Sequence, residues 1–308
     1  MIGKIGTVGL GIVLILAVGT PAATATDPGG DGVIAFSRVF ALTDADIAAV
    51  VPDSLESYAL THNSLTDFDP AWSPDGRKMA FSASGSDVDI WVQTSDGYNA
   101  HDITNDPDHP DLGASWSPDG RQIVYWRQNF DGTGSIWVMN ADGTGQTQLT
   151  DDSVTNATPS WSPDGSRIAF MTNRDGNNEL YTMAPDGSDL QRLTTTPDVQ
   201  EENQDWSPDG SMIAFDSCPA ATYPCPGSAD YNIFVMAADG SGLTQLTTDT
   251  GIDAHPSWSP QGTRIAFRAD RPYTAIWMMD ADGSNQTQLT FGNFHGGVDP
   301  AWQPLARP

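Results

Sequence analysis

The sequence predicts an all-β protein: a six-bladed β-propeller of four-stranded antiparallel blades, closed 3+1 by N-terminal strands and the C-terminal strand. Three observations predict it. The string Trp-Ser-Pro-Asp-Gly begins at Trp72, Trp116, Trp161 and Trp206, returns as WSPQG at Trp258 and decays to WQPLA at Trp302. Successive head Trp residues are 44, 45, 45, 52 and 44 positions apart, a period that marks a repeat architecture. Each period also holds four short apolar runs bounded by Asp-Gly turns, and such a unit repeated with a Trp is a propeller blade.

The third period shows how each element follows from its residues. Pro159-Ser-Trp161-Ser is an extended run, and Ser162-Pro-Asp-Gly165 is a turn in which proline presets φ and glycine accepts the left-handed conformation. Ile168-Ala-Phe170-Met is the second strand, Glu179-Leu-Tyr181-Thr-Met183 the third and Gln191-Arg-Leu193-Thr194 the fourth, with Arg174-Asp-Gly176 and Ala184-Pro-Asp-Gly187 turning the chain between them. Second strands recur at Ile34-Ala-Phe36, Met79-Ala-Phe81, Ile123-Val-Tyr125, Ile213-Ala-Phe215 and Ile265-Ala-Phe267. The chain thus opens on a second strand and ends on a first. Residues 33–61 supply three strands of a blade whose innermost strand is Val298-Asp-Pro-Ala-Trp302-Gln, a closure that leaves no inner edge open. Ala45 to Val51 is alanine-rich enough to form a helix, but the repeat register makes it a third strand.

Residues 1–25 read as a signal peptide: Lys4 near the start, an apolar stretch from Ile5 to Val18, and the small-x-small site Ala23-Thr24-Ala25. The propeller is expected over 32–304, secreted or periplasmic, with no membrane span in the mature protein. Cys218 and Cys225 share one loop, which explains the long repeat step, and in an exported chain they are expected to pair as a local disulfide. The chain carries 40 acidic against 13 basic residues, a formal charge of −27, which opposes nucleic acid and anionic membranes and favours cations and basic partners.

The motif WSPDG-x-x-Ile-Ala-Phe from Trp161, with Ile136-Trp-Val-Met-Asn140-Ala-Asp-Gly-Thr-Gly145 and Gln148-Leu-Thr150, resembles the WD40-like PD40 repeat of the TolB-like propellers. The resemblance covers essentially all of 32–304 and implies a six-bladed, exported propeller. In the family's namesake an α/β domain precedes the propeller, whereas here only a few residues separate the expected cleavage site from the first strand. Related propellers also accompany α/β-hydrolase domains in peptidases.

No G-x-S-x-G elbow and no H-E-x-x-H is present, and the serines of the SPDG turns have a backbone explanation. The candidate site lies instead where the loops from each fourth strand reach the next Trp. Five residues before each head Trp stand Asp67, Asp111, Asn156, Glu201, Asp253 and Gly297; three before stand Asp69, Gly113, Thr158, Asn203, His255 and Asp299. Ring symmetry is expected to bring equivalent positions toward one axis. Asp67, Asp69, Asp111, Asn156, Glu201, Asp253 and Asp299 are therefore candidate oxygen ligands for calcium in the central channel. The plain alternative is that they cap turns beside proline, as in Asp69-Pro70. His109, His255 and His295, with Glu201, Glu202 and Asp253 expected near, are candidates for ligand contact, zinc binding or acid/base chemistry. Trp126 departs from the repeat and, with Phe130, is expected as an aromatic contact on an exposed loop; Phe291, Phe294 and His295 form a second aromatic loop. These features predict a non-enzymatic scaffold for a protein or peptide. The alternatives are a calcium-dependent module for a glycan or small ligand, and a hydrolase or lyase.

Overall fold

The computed structural model describes residues 32–41, 44–219, 230–271, 273–291 and 297–304. The expected leader 1–25, Cys225 of the expected disulfide, Phe294 and His295 lie outside the described residues. Strands β1 (Ile34–Ala41), β2 (Asp44–Val50) and β3 (Ser57–Ala59) open the chain. The first uninterrupted blade is β4 (Thr66–Trp72), β5 (Lys78–Ser84), β6 (Val88–Thr94) and β7 (His101–Asp102). It is followed by β8 (Asp111–Trp116), β9 (Gln122–Gln128), β10 (Gly134–Asn140) and β11 (Thr147–Gln148). Then come β12 (Asn156–Trp161), β13 (Ile168–Thr172), β14 (Glu179–Met183) and β15 (Gln191–Arg192). The next blade is β16 (Gln200–Trp206), β17 (Met212–Cys218), β18 (Asn232–Ala237) and β19 (Thr244–Gln245). The last strands are β20 (Asp253–Trp258), β21 (Arg264–Asp270), β22 (Thr274–Asp280), β23 (Thr287–Gln288) and β24 (Gly297–Trp302).

These strands form six antiparallel four-stranded sheets, and the sheet β24-β1-β2-β3 joins the two ends of the chain. The 3+1 closure is therefore present, with Ile34 opposite Trp302 and Ala35 opposite Ala301. Residues 45–50 are strand, not helix: Ala48 pairs with Phe36 on one side and Ala59 on the other. Among the described residues no helix is long and apolar enough to cross a membrane.

The core lies between blades, and the Ile-Ala-Phe string explains why. Side chains alternate across a strand, so Ile and Phe face one neighbour and Ala the other. Met79 and Phe81 pack on Ala35 of the blade before, while Ala80 receives Ile123 and Tyr125 of the blade after. The scheme repeats with Ile213 and Phe215 on Ala169, and with Ile265 and Phe267 on Ala214. It closes the ring with Ile34 and Phe36 on Ala266. Large-on-small pairing fills the wedge between twisted sheets at interior density.

The Leu-Thr that follows each short fourth strand, Ile-Thr at 103–104, also has a physical role. The hydroxyl of Thr104 accepts the Ile90 N–H at 2.9 Å, and Thr150 and Thr247 do the same for Ile136 and Ile233. A two-residue edge strand leaves that donor unmatched, and the threonine supplies the acceptor.

Candidate binding channel

Each innermost strand carries a bulge at the same place. The ladder breaks between Phe68 and Ala71, Leu112 and Ser115, Ala157 and Ser160, Glu202 and Asp205, and Ala254 and Ser257. The residue three before each Trp takes the left-handed conformation, with φ from 49° at Thr158 to 60° at Gly113. Non-glycine residues there cost about 1–3 kcal/mol and persist only where the surroundings fix them. The bulge turns these six residues into the central channel. They line a cavity of about 770 Å³ that runs from this ring to the prolines of the SPDG turns, Pro74 and its equivalents, with the six head Trp residues in its wall. The cavity thus extends toward the SPDG side.

Two polar sets diverge from the expectation of one stacked ring. The residues five before each Trp do not converge on the opening. Asp67, Asp111, Asn156, Glu201 and Asp253 are at most 2% exposed. Arg127 holds Asp111 with two bonds of 2.7 and 2.8 Å, reaches Asp106 at 2.8 Å and lies 4.5 Å over the Trp137 ring. Arg271 serves Asp253 in the same way above Trp277 and Phe267, and Arg174 meets Asn156 at 3.0 Å beside Tyr181. Glu201 is held by Thr196 and Thr194, with burial pushing it up to about 8, and Asp67 accepts from Asn63 at 2.8 Å. The arginine contacts tie the first strand to the second within a blade, while Glu201, Asp67 and Asn156 also bond the chain that arrives from the blade before. The arginines were the missed element. Asp253 to Arg271 and Asn156 to Arg174 share one 18-residue spacing, which is the available signal. Among the described residues no three His, Cys, Asp or Glu side chains are grouped to hold a metal ion.

The second set does converge. His255 Nδ1 lies 2.7 Å from Asp299 Oδ1, Ser37 donates to Asp299 at 3.3 Å, and Ser82 donates to Asp69 at 3.4 Å. Asp69 is pushed up by burial and then by its neighbour Asp299, with which it shares a hydrogen bond. Burial opposes the charge on His255, but Asp299, Asp216 and Asp69 together outweigh it and raise the imidazole to about 9. Burial likewise opposes ionisation of Asp299, yet His255 holds its carboxyl below the usual range. Glu202, bonded by Asn178 at 2.6 Å, is raised to about 7 by burial and by Asp216. Asp216 receives the Asn203 amide at 2.9 Å and the His255 N–H at 2.8 Å, and burial raises it as well. Asp205, which accepts the Trp258 N–H at 2.8 Å, is raised by burial to about 7.

Trp126 is not on an exposed loop. Opposite each bulge stands the residue after the second-strand aromatic: Ser37, Ser82, Trp126, Met171, Asp216 and Arg268. Trp126 holds that position and lines the cavity. Gly113 makes room for it, since a Cβ there would stand 3.1 Å from the indole. Phe130 is 86% exposed on the turn beyond β9 and stacks on His109 at 6.2 Å. His109 is 3.5 Å from Asp106, and neither it nor Phe130 lines the cavity that His255 and Trp126 share. Phe291 is exposed as well. The head Trp residues join blades: Trp116 donates to the Ala71 carbonyl and Trp72 to that of Ala301.

The SPDG serines are committed to their turns. The Ser162 hydroxyl donates to Asp164 at 2.7 Å and accepts the Arg167 N–H at 2.9 Å, and Ser73, Ser117 and Ser207 repeat both bonds. The same turns hold their aspartates ionised, with Asp209 lowered to about 2 by the Ser207 and Ser211 donors.

Fold and channel together define a closed six-bladed β-propeller with a polar ring at the floor of an aromatic and proline-walled cavity. The model of the TolB β-propeller (PD40) family matches residues 53–223, more than half of the chain, and the chain belongs to that family. The Tol-Pal system protein TolB of Zymomonas mobilis is 37% identical over 78 residues, which are 24% of this chain and 16% of that protein. The chain thus matches less than a fifth of that relative's length. The crystal structure of TolB from Acinetobacter baumannii superposes with a TM-score of 0.76 at 21% identity, covering 89% of this chain and 67% of the other. Oligogalacturonate lyase from Vibrio parahaemolyticus superposes with a TM-score of 0.59 at 13% identity, over 90% of this chain and 86% of the lyase. At these identities the two structures show the fold.

Proposed function

We propose that this propeller is a non-enzymatic scaffold outside the cytoplasm that binds a protein or peptide through its central channel. The observation that carries it is the cavity of about 770 Å³ to which all six blades contribute, walled by Trp and Pro and floored by a polar ring. Concave, mostly apolar sites with a few convergent polar groups are where ligands bind. A second support is that the hydroxyls nearest the cavity mouth are held by Asp and backbone partners and are not poised for attack. The leader-like first 25 residues support export, and the charge of −27 opposes nucleic acid as the partner.

A photo-crosslinking residue placed at Thr158 in the channel tests this against one placed at Gln191 on an outer edge strand. Crosslinking of one defined protein at Thr158 but not at Gln191, lost when the channel is filled by Asn203→Trp, is expected. Equal labelling at both positions overturns the channel as the docking site.

A further inference from the structure

We propose that the channel binds the guanidinium of an arginine side chain presented by the partner, seated beside Trp126 and paired with Asp69 and Asp299. This rests on the scaffold function above and names the chemistry of its ligand.

The arc that would hold it spans four consecutive blades. His255 meets Asp299, Asp299 meets Asp69, and Ser82 links Asp69 to the next blade by also accepting the Gly113 N–H at 3.2 Å. Gly113 is the place where the Trp126 indole enters the cavity wall. An aromatic surface therefore lines the same cavity as a pair of carboxylates, linked to them through Ser82 and Gly113, and the cavity is large enough for a side chain. A second observation points the same way. Asp216, fully buried at the same ring, has one carboxylate oxygen with no hydrogen-bond donor. An excess of buried acceptors calls for a guest that brings donors.

The molecule solves this chemical problem three times elsewhere, each time with arginine. Arg127 and Arg271 place a guanidinium over aromatic rings and against a buried aspartate, and Arg174 places one over aromatic rings and against a buried asparagine. The channel repeats the carboxylate and the aromatic without an arginine of its own in that position. The ring's own cation is His255, which takes Asp299, while Arg268 is directed to Asp270 at 2.9 Å. A planar fork with five donors suits two carboxylates and an indole face, where an ammonium supplies a point charge only. The strongly acidic chain would steer such a guest inward.

Binding on this scheme is an exchange. Two adjacent carboxylates cannot both ionise cheaply, so Asp69 and Asp299 retain a proton that the incoming cation displaces to the buffer. The groups facing them are His255 and Arg268 on one blade, Glu202 and Asp216 on the blade before it, and the hydroxyls of Ser37 and Ser82. Loss of protons from Asp69 or His255 makes the ring more negative, so affinity rises with pH.

Calorimetric titration of the full chain with acetyl-Gly-Arg-Gly-amide and its citrulline counterpart, in buffers of different ionisation heat, tests this. Saturable one-to-one binding of the arginine probe, about tenfold or more tighter than citrulline, is expected, with net proton release and affinity increasing from about pH 5.5 to about pH 8. Asp69→Asn with Asp299→Asn should abolish the proton release and weaken binding about tenfold or more. Trp126→Leu should weaken it about fivefold while leaving the release intact. Thermal unfolding of each variant establishes that it folds. Equal affinity for citrulline, arginine binding indifferent to the double variant, or no binding of the arginine probe overturns the proposal. Crosslinking at Thr158 would still occur in that case, so the scaffold function stands or falls separately.

Discussion

Asp253 and His255 are two residues apart on one strand and belong to different machines. Asp253 is sealed inside its blade under Arg271, whereas His255 leans into the channel against Asp299. The same division separates Asp111 from Gly113 and Asp67 from Asp69. The bulge that begins at the second position makes the difference, because the left-handed residue rotates its side chain out of the alternation. Polar residues five before the Trp therefore hold the blade together, and those three before it furnish the channel. A strand can serve stability and recognition at once when a kink sets the two apart.

The largest effect is expected from removing a cation from the buried set. Arg127→Met leaves Asp111 buried without its partner, and the expected loss is about 3–5 kcal/mol in denaturant unfolding. Adding Asp111→Leu should restore much of it, since a buried pair replaced by apolar groups is often neutral. Loss from the single variant no greater than from an exposed Arg121→Met would mean that the inner set does not hold the blade.

The next effect is read by pH and opposes the buried carboxylates of both sets to the turn aspartates. Asp69, Glu201, Glu202 and Asp205 all have raised values in the folded chain, so the folded state binds more protons than the unfolded one across the range from ordinary carboxylates to about 8. Stability then falls as pH rises through that range. His255, raised to about 9, adds stability that is present below its unfolded value and lost as pH climbs toward 9. The turn aspartates act oppositely: Asp209, lowered to about 2, contributes stability lost only as pH falls below the ordinary carboxylate value. The melting temperature should therefore be highest in mildly acidic buffer and decline by several degrees toward mildly alkaline buffer, with a shallower decline in Asp69→Asn. A flat profile over that range would contradict the shared-proton channel.

The smallest effect tests the bulge itself. Thr158 is β-branched at φ 49°, so Thr158→Gly should stabilise by about 1 kcal/mol, relief of strain exceeding the added chain entropy. The same change at Ala157, where the backbone is regular strand, should destabilise by about 1 kcal/mol. Opposite signs at neighbouring residues are the signature to look for.

Much of the fold could be read directly from the residues, because the recurring features were those the backbone imposes: proline and glycine in turns, Ile-Ala-Phe across a blade gap, a Trp at each strand end. The first blade shows how far this reaches, since alanine-rich 45–50 is strand in the register its neighbours demanded. The site was legible only in part. Counting back from each Trp located both polar sets but could not tell them apart, since a bulge leaves no mark when Asp, Gly, Thr, Asn and His all occupy it. Trp126 was harder still. Its equivalents after the second-strand aromatic are Ser, Met, Asp, Arg and Ser, and only the pairing register reveals that this position stands opposite the bulge. Chemistry that varies from blade to blade is what distinguishes one channel from another, and for that reason it cannot announce itself as a repeat.

The clasp between β1 and β24 has a mechanical corollary. Ile34 lies opposite Trp302, and Gln303 donates its N–H to Val33, so the two outgoing chain directions leave from one end of the same antiparallel pair. A load applied through Val33 and Gln303 would peel the ladder open one rung after another instead of shearing all rungs together. The ring would then yield at low force and at a single seam, with the other five blades still intact behind it.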